Sequence, residues 1–143
     1  MTRALLDINV LIALLDSDHV DHRRVHAWAD EGLQGGWATC PITENGFVRI
    51  ISQPRYPSPV PPAKAIELLR GACEGGTHEL WPCDISLLDD QTVERTRLHG
   101  PRQVTDTYLL ALATAHGGHF VTFDRSVSSA SVPGAGTLNL TVL

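Results

Sequence analysis

Leu5-Leu6-Asp7-Ile8-Asn9-Val10-Leu11-Ile12-Ala13-Leu14-Leu15-Asp16 changes its period partway along. Leu5 and Leu6 suit the end of a buried strand, whereas Val10, Leu11, Leu14 and Leu15 recur at helical spacing. The switch falls around Asp7 and Asn9. An acid at a strand-to-helix junction lies at the carboxyl edge of a parallel sheet, where α/β proteins bind ligands. Taken alone, Asp7 is explained as well by capping the helix that follows. Chemistry requires that the arrangement recur.

It does recur. Trp37 to Cys40 reads as a short strand, Pro41 suits the first turn of a helix, and Glu44 falls in that helix's first turns. Ile42, Phe47, Val48, Ile50 and Ile51 supply its apolar face, although Asn45-Gly46 is more often a turn signal. For Glu44 alone, the plain alternative is an acid that complements the helix dipole. Val104 to Ala113 is the strongest helix of the chain, with Asp106 in its first turn and Gly117-Gly118 as its stop. His119 to Phe123 is an apolar strand that ends at Asp124. Alternating strands and helices make a parallel sheet, and acids that follow its strands collect at one edge.

Four carboxylates gathered without a lysine repel by about 4 kcal/mol for each pair at roughly 4 Å and an effective dielectric of roughly 20. Such a group persists when a divalent cation occupies it or when some members stay protonated. Hard oxygen donors without sulfur or clustered imidazole favour Mg²⁺ or Mn²⁺ over zinc.

The remaining segments are scaffold. A helix over Val20 to Glu31, capped by Asp18 and stopped by Gly32, presents His19, His22 and His26 on one face. Asp21, Arg23 and Arg24 interleave with these histidines as on a solvated surface, which favours partner contact over a metal site. Gln53 to Pro62 carries five prolines and reads as an ordered loop entering a helix from Pro62 to about Cys73. Glu79 to Pro82 is a short strand, and Asp84 or Ser86 would cap a helix running to about Leu98. Arg95 and Arg97 in its last turn, with Arg102, form the best basic cluster, suited to dipole complement and solubility or to RNA phosphate contact. Ser126 to Gly136 is a polar loop, and Thr137 to Val142 alternates as a closing strand.

With 143 residues, 43% of them hydrophobic and 19% charged, the chain reads as one soluble domain spanning 1–143. The apolar run from Ile8 to Leu15 is too short for a membrane span, and the N-terminus does not read as a signal peptide. Cys40, Cys73 and Cys83 lack the spacing of a disulfide framework or zinc knuckle and suit a reducing cytoplasm. The net charge of −5 argues mildly against a nucleic-acid partner. Setting four of the sixteen acids aside for a metal leaves twelve against eleven bases, so the total decides little. Lys64 is the single lysine, and the other bases are arginines, which suit planar phosphate recognition.

Leu5-Leu6-Asp7-Ile8-Asn9-Val10-Leu11-Ile12, Thr43-Glu44-Asn45-Gly46-Phe47, Thr105-Asp106-Thr107-Tyr108-Leu109 and Val121-Thr122-Phe123-Asp124 together resemble a PIN domain. More narrowly they resemble the VapC toxins of bacterial toxin–antitoxin pairs, over essentially the whole chain. The resemblance implies a three-layer α/β/α fold around a parallel sheet of four to five strands. It also implies Mg²⁺- or Mn²⁺-dependent endoribonuclease activity, homodimers and a VapB-type antitoxin. By position, Asp7, Glu44, Asp106 and Asp124 take the family's acidic, metal-holding roles. Asn9 takes the polar place beside the first acid, and Thr122 and Arg125 flank the last. Asp7 and Asp106 are the expected direct ligands, with Glu44 and Asp124 completing the set directly or through water.

Two other readings compete. Asp7-Ile8-Asn9-Val10 is similar to the Asp-x-Asp motif of aspartyl-phosphate phosphohydrolases, but its second acid is Asn9, and Lys64 lies in a surface helix rather than after a late strand. A receiver domain fails for the same reason. A catalytically silent module that binds RNA or protein has no need of a complete acid set.

Overall fold

The computed structural model describes residues 1–143 and contains one five-stranded sheet, parallel throughout. Its strands are β1 (Ala4–Leu6), β2 (Trp37–Thr39), β3 (His78–Leu80), β4 (His119–Thr122) and β5 (Leu140–Val142). In space they run β3-β2-β1-β4-β5. The chain therefore builds outward from β1 in one direction, returns, and builds outward in the other. Between β1 and β4 lies the point where the order reverses, the crevice in which open parallel sheets place their ligands. Leu5 pairs with Phe120 and Leu6 with Val121 across that line.

Strands β1 and β2 are buried throughout, and successive side chains face opposite cores. Ala4 and Leu6 pack into one core with α1 (Ile8–Leu15), α2 (His22–Gly32), α3 (Pro41–Ile51) and α4 (Pro62–Cys73). Leu5, Ala38 and Phe120 face the other core, filled by Leu109, Leu110, Leu112 and Ala113 of α5 (Val104–Ala115). Helices thus cover both faces, which makes the three-layer sandwich expected from the sequence. No helix is long and apolar enough to cross a membrane.

Helix α3 forms through Asn45-Gly46 because its tertiary neighbour requires a glycine there. A Cβ on Gly46 would drive into the Ile8 side chain at the start of α1. The helix is also secured at its start, where Thr43 Oγ1 accepts from the Cys40 N–H at 3.0 Å and Pro41 occupies the first turn.

Three boundaries differ from expectation. The helix expected from Asp84 or Ser86 to Leu98 is absent; the segment makes successive turns and one 3₁₀ turn at Arg95–Arg97. Ser86 Oγ takes the Leu88 N–H at 3.1 Å and Asp89 Oδ1 takes that of Gln91 at 2.8 Å, so side chains capture donors a helix would need. Leu87 and Leu88 are also exposed, Leu88 at 93%, so the middle of the segment has little apolar contact to hold a helix down. Helix α2 starts at His22 rather than beyond Asp18, because His19 Nδ1 and Asp16 Oδ1 bind the N–H groups of Asp21 and Asp18 in turns. At the C-terminus Thr137–Asn139 is a 3₁₀ turn, and only Leu140–Val142 pairs with β4.

Candidate active site

The sheet's reversal point opens into a cleft of about 770 Å³ that Asp7, Asn9, Asp106 and Asp124 line together. Asp7 ends β1, Asp124 follows β4, and Asp106 enters from the first turn of α5. Arg49, Asn45, Thr105, Ile42, Ile50 and Phe123 complete most of the wall.

Each acid is held differently. Asp7 is buried at 8% exposure; its Oδ1 accepts from the Ile8 N–H at 2.8 Å, and its Oδ2 accepts from the Thr122 hydroxyl at 2.7 Å. Thr122, itself fully buried, also accepts the Asp124 N–H at 3.0 Å, so one hydroxyl ties the first acid to the last. Asp124 Oδ1 accepts from both the N–H and the hydroxyl of Ser126, at 2.8 and 2.7 Å. Those two bonds keep its carboxyl below the usual carboxylate range. Burial pushes the Asp7 carboxyl up, against the pull of its hydrogen bonds. Burial also pushes Asp106 up, to about 7, with the charges of Asp7 and Asp124 adding to the effect. Asp106 is therefore the acid of this cleft that gives up its proton near neutrality.

Glu44 does not join them. It lines an adjoining cavity of about 430 Å³ with Val48, Cys73 and His78, and Asn45 borders both. There Glu44 Oε2 accepts from the Thr39 hydroxyl at 2.8 Å, and Thr39 Oγ1 stands 2.7 Å from His78 Nε2. Because the hydroxyl proton goes to Glu44, the His78 bond requires Nε2–H as donor. Helical phase explains the displacement. Ile42, Asn45, Gly46 and Arg49 form the stripe of α3 that faces the cleft, while Glu44 and Val48 form another. Asn45 and Arg49 are thus site residues that counting acids after strands passes over; the 42-45-46-49 spacing is the signal that finds them.

The other candidates divide. Asn9 is in the cleft and Thr122 beneath it, but Arg125 is exposed and outside its lining. Arg97 shares a small polar recess with Asp124, Ser126 and Thr107. Arg95 reaches toward Asp90 at 3.9 Å, and Arg102 is exposed in the next 3₁₀ turn, so the basic cluster is spread over two turns rather than set on a helix. The three histidines hold no common ligand position: His22 Nδ1 bonds the Ala13 carbonyl, and His19 serves the turn before α2.

The acid oxygens of the cleft have no lysine among them, and burial together with their mutual repulsion raises Asp106. That chemistry fits a hard divalent cation. No three acid, imidazole or thiol groups stand close enough to share one ion directly. The fit is therefore to an ion that keeps several of its waters, as Mg²⁺ does.

A buried acid at a sheet-reversal crevice, joined by two more from a later helix and strand, is the arrangement of a PIN domain, and the family model described as "PIN domain" matches residues 4–132. The chain belongs to that family, and within it to the VapC group. It is 59% identical over 141 residues to Ribonuclease VapC44 of Mycobacterium tuberculosis, with 99% of each chain covered. Ribonuclease VapC38 of the same species is 42% identical over 125 residues, covering 87% of this chain and 86% of its own. Ribonuclease VapC39 is 40% identical over 132 residues, covering 92% and 95%.

Proposed function

We propose that this protein is a metal-dependent endoribonuclease, the toxin of a type II toxin–antitoxin pair. The observation that carries the reading is the convergence of Asp7, Asp106 and Asp124 on one cleft with no lysine among them. The relatives' name, ribonuclease, supplies the substrate class.

Asp7, Asp106 and Asp124 would hold Mg²⁺ or Mn²⁺, which when bound lowers the pKa of a water and offsets charge on the attacked phosphate. The chain's own groups set the stage for that. Thr122 fixes the Asp7 carboxylate by donating to Oδ2, and Ser126 fixes Asp124 through Oδ1. Asp106, which burial and the neighbouring acids hold at about 7 without an ion, would be ionised once the cation is bound and would complete the ligand set from α5. Asn9, exposed at the cleft mouth, can hydrogen-bond water or substrate there.

Incubation with total cellular RNA and Mg²⁺, followed by mapping of new ends, tests the reading directly. Cleavage that EDTA abolishes and Asp7→Asn removes is expected; intact RNA under all conditions would leave a silent binding module. The phosphohydrolase alternative gains nothing from the fold. Lys64 lies exposed on α4 at 3.7 Å from Glu67 and does not line the cleft. A VapB-type antitoxin, a homodimer and a cytoplasmic location complete the proposal, the last consistent with three free cysteines.

A further inference from the structure

Arg49 lines the same cleft as the three acids, one turn beyond Asn45, and no carboxylate lies within ion-pair distance of it. The ordinary explanation for an arginine in the last turn of a helix is compensation of the dipole. That explanation needs no particular face. Here the face is set: Gly46 lets α3 press against Ile8, which brings the 45–49 stripe to the cleft wall. An arginine beside a cluster of acids would ordinarily be captured by one of them. Instead Asp7 is satisfied by Ile8 and Thr122, and Asp124 by Ser126, so the guanidinium keeps its donors.

Charge gives those donors a use. Three ionised acids and one divalent cation leave the cleft a single negative charge, which repels an incoming phosphodiester. One guanidinium cancels it. Arg49 is the sole arginine or lysine in the cleft lining. We propose that Arg49, with the Asn45 amide beside it, grips a phosphate of the RNA strand and so positions the chain across the acids. This rests on the nuclease reading and goes beyond it by naming the side of the cleft on which the substrate backbone lies. An arginine suits the task because its fork meets two phosphate oxygens at once.

The test compares Arg49→Ala, Arg49→Lys and Arg70→Ala, the last a control in the cavity across α3. Binding of a fluorescently labelled, mixed-sequence single-stranded RNA of roughly a dozen nucleotides, within the span such sites cover, is read by anisotropy across a salt series. The Asp106→Asn background keeps the RNA intact. Arg49→Ala is expected to weaken binding about tenfold, as for loss of one charge-assisted bond. It should also flatten the slope of log K against log salt by about 0.7, the value for one single-strand phosphate contact. Arg49→Lys should keep the slope and lose part of the affinity, and Arg70→Ala should change neither. In the otherwise wild-type enzyme, Arg49→Ala should raise KM more than it lowers kcat. Unchanged affinity and salt slope in Arg49→Ala overturn the assignment. Should the alanine variant fail to fold, Arg49→Gln, of similar length and without charge, carries the same comparison. Wild-type protein that cuts no RNA sinks the nuclease reading; cutting that Arg49→Ala leaves untouched sinks only the role of Arg49.

Discussion

Helix α3 separates two cavities that hold the same kind of side chain in different circumstances. On one side Asp7, Asp106 and Asp124 crowd together, with Asp7 and Asp106 held above the usual carboxylate range. On the other, Glu44 accepts a hydrogen bond from the buried Thr39 hydroxyl, which the His78 imidazole also meets. The first group concentrates negative charge in a crevice, relieved only by hydrogen bonds to Asp7 and Asp124 and by the proton on Asp106. The second is a satisfied hydrogen-bond chain that ties edge strand β3, through His78, to α3. Carboxylates count toward a metal centre by their neighbours, not by their number.

Activity is where the two sides should differ most. Asp7→Asn is expected to lower RNA cleavage by about a thousandfold, some 4 kcal/mol of barrier. Glu44→Gln is expected to cost less than about tenfold, below 1.4 kcal/mol. Rates on mapped RNA ends, with circular dichroism to check the fold, provide the comparison. Equal losses in the two variants would erase the distinction between the cavities.

Metal binding should divide the same way. Mn²⁺ at about a hundred times its dissociation constant stabilises the native state by about 2.7 kcal/mol, a rise in melting temperature of several degrees. Thermal denaturation with and without Mn²⁺ should show that rise in wild type and in Glu44→Gln, and lose most of it in Asp7→Asn. A shift that disappears with Glu44 instead would move the ion to the other side of α3.

Much of the crevice was legible because its acids sit where a period changes. Leu5-Leu6 before Asp7 and Phe120-Val121 before Asp124 are buried runs that lead to an acid; β1 ends just before Asp7 as expected, and β4 ends at Thr122, one residue short of the expected Phe123. Glu44 lies outside the cleft lining, and a strand followed by an acid says nothing about that helical phase: one residue along, Asn45 borders both cavities, whereas Glu44 borders only the second. The 84–98 segment misled for a different reason. Its Ser and Asp residues look like caps, but repeated every few positions they bind local N–H groups and prevent the helix they seem to start. Gly46 reads as a turn until the Ile8 contact is known, and only the tertiary structure supplies that.

The crowding of the cleft has a cost in stability that pH can expose. In metal-free solution the folded protein holds a proton on Asp106 up to about pH 7, while the unfolded chain releases it near the ordinary aspartate value of 3.8. The folded state binds more protons across that window, so this contribution to stability is full below about 4 and declines until pH passes about 7. Asp106→Asn is neutral throughout and escapes the decline. At pH 8 in EDTA the variant should be more stable than wild type by about 1 kcal/mol, discounted because solvent reaches half of the group. Near pH 4 the gain should shrink toward nothing. Denaturant melts at the two pH values measure it, and a gain that grows toward acid pH would contradict the crowding.

The smallest effect belongs to the far cavity and tests whether its chain is structural. Thr39→Val removes the hydroxyl that both Glu44 and His78 use, and should cost about 1 kcal/mol, the ordinary net worth of a hydrogen bond. Glu44→Gln keeps an acceptor for Thr39 and should cost less. If the two residues act only through each other, the double variant costs little more than Thr39→Val alone, a coupling of about 0.5 kcal/mol. Cleavage should stay close to wild type in all three proteins, because none of the lost bonds reaches the cleft. A Thr39→Val variant that folds normally yet loses activity would mean that β2 and α3 transmit the state of this chain to Asn45 and Arg49, and the two sides of the helix would then be one site.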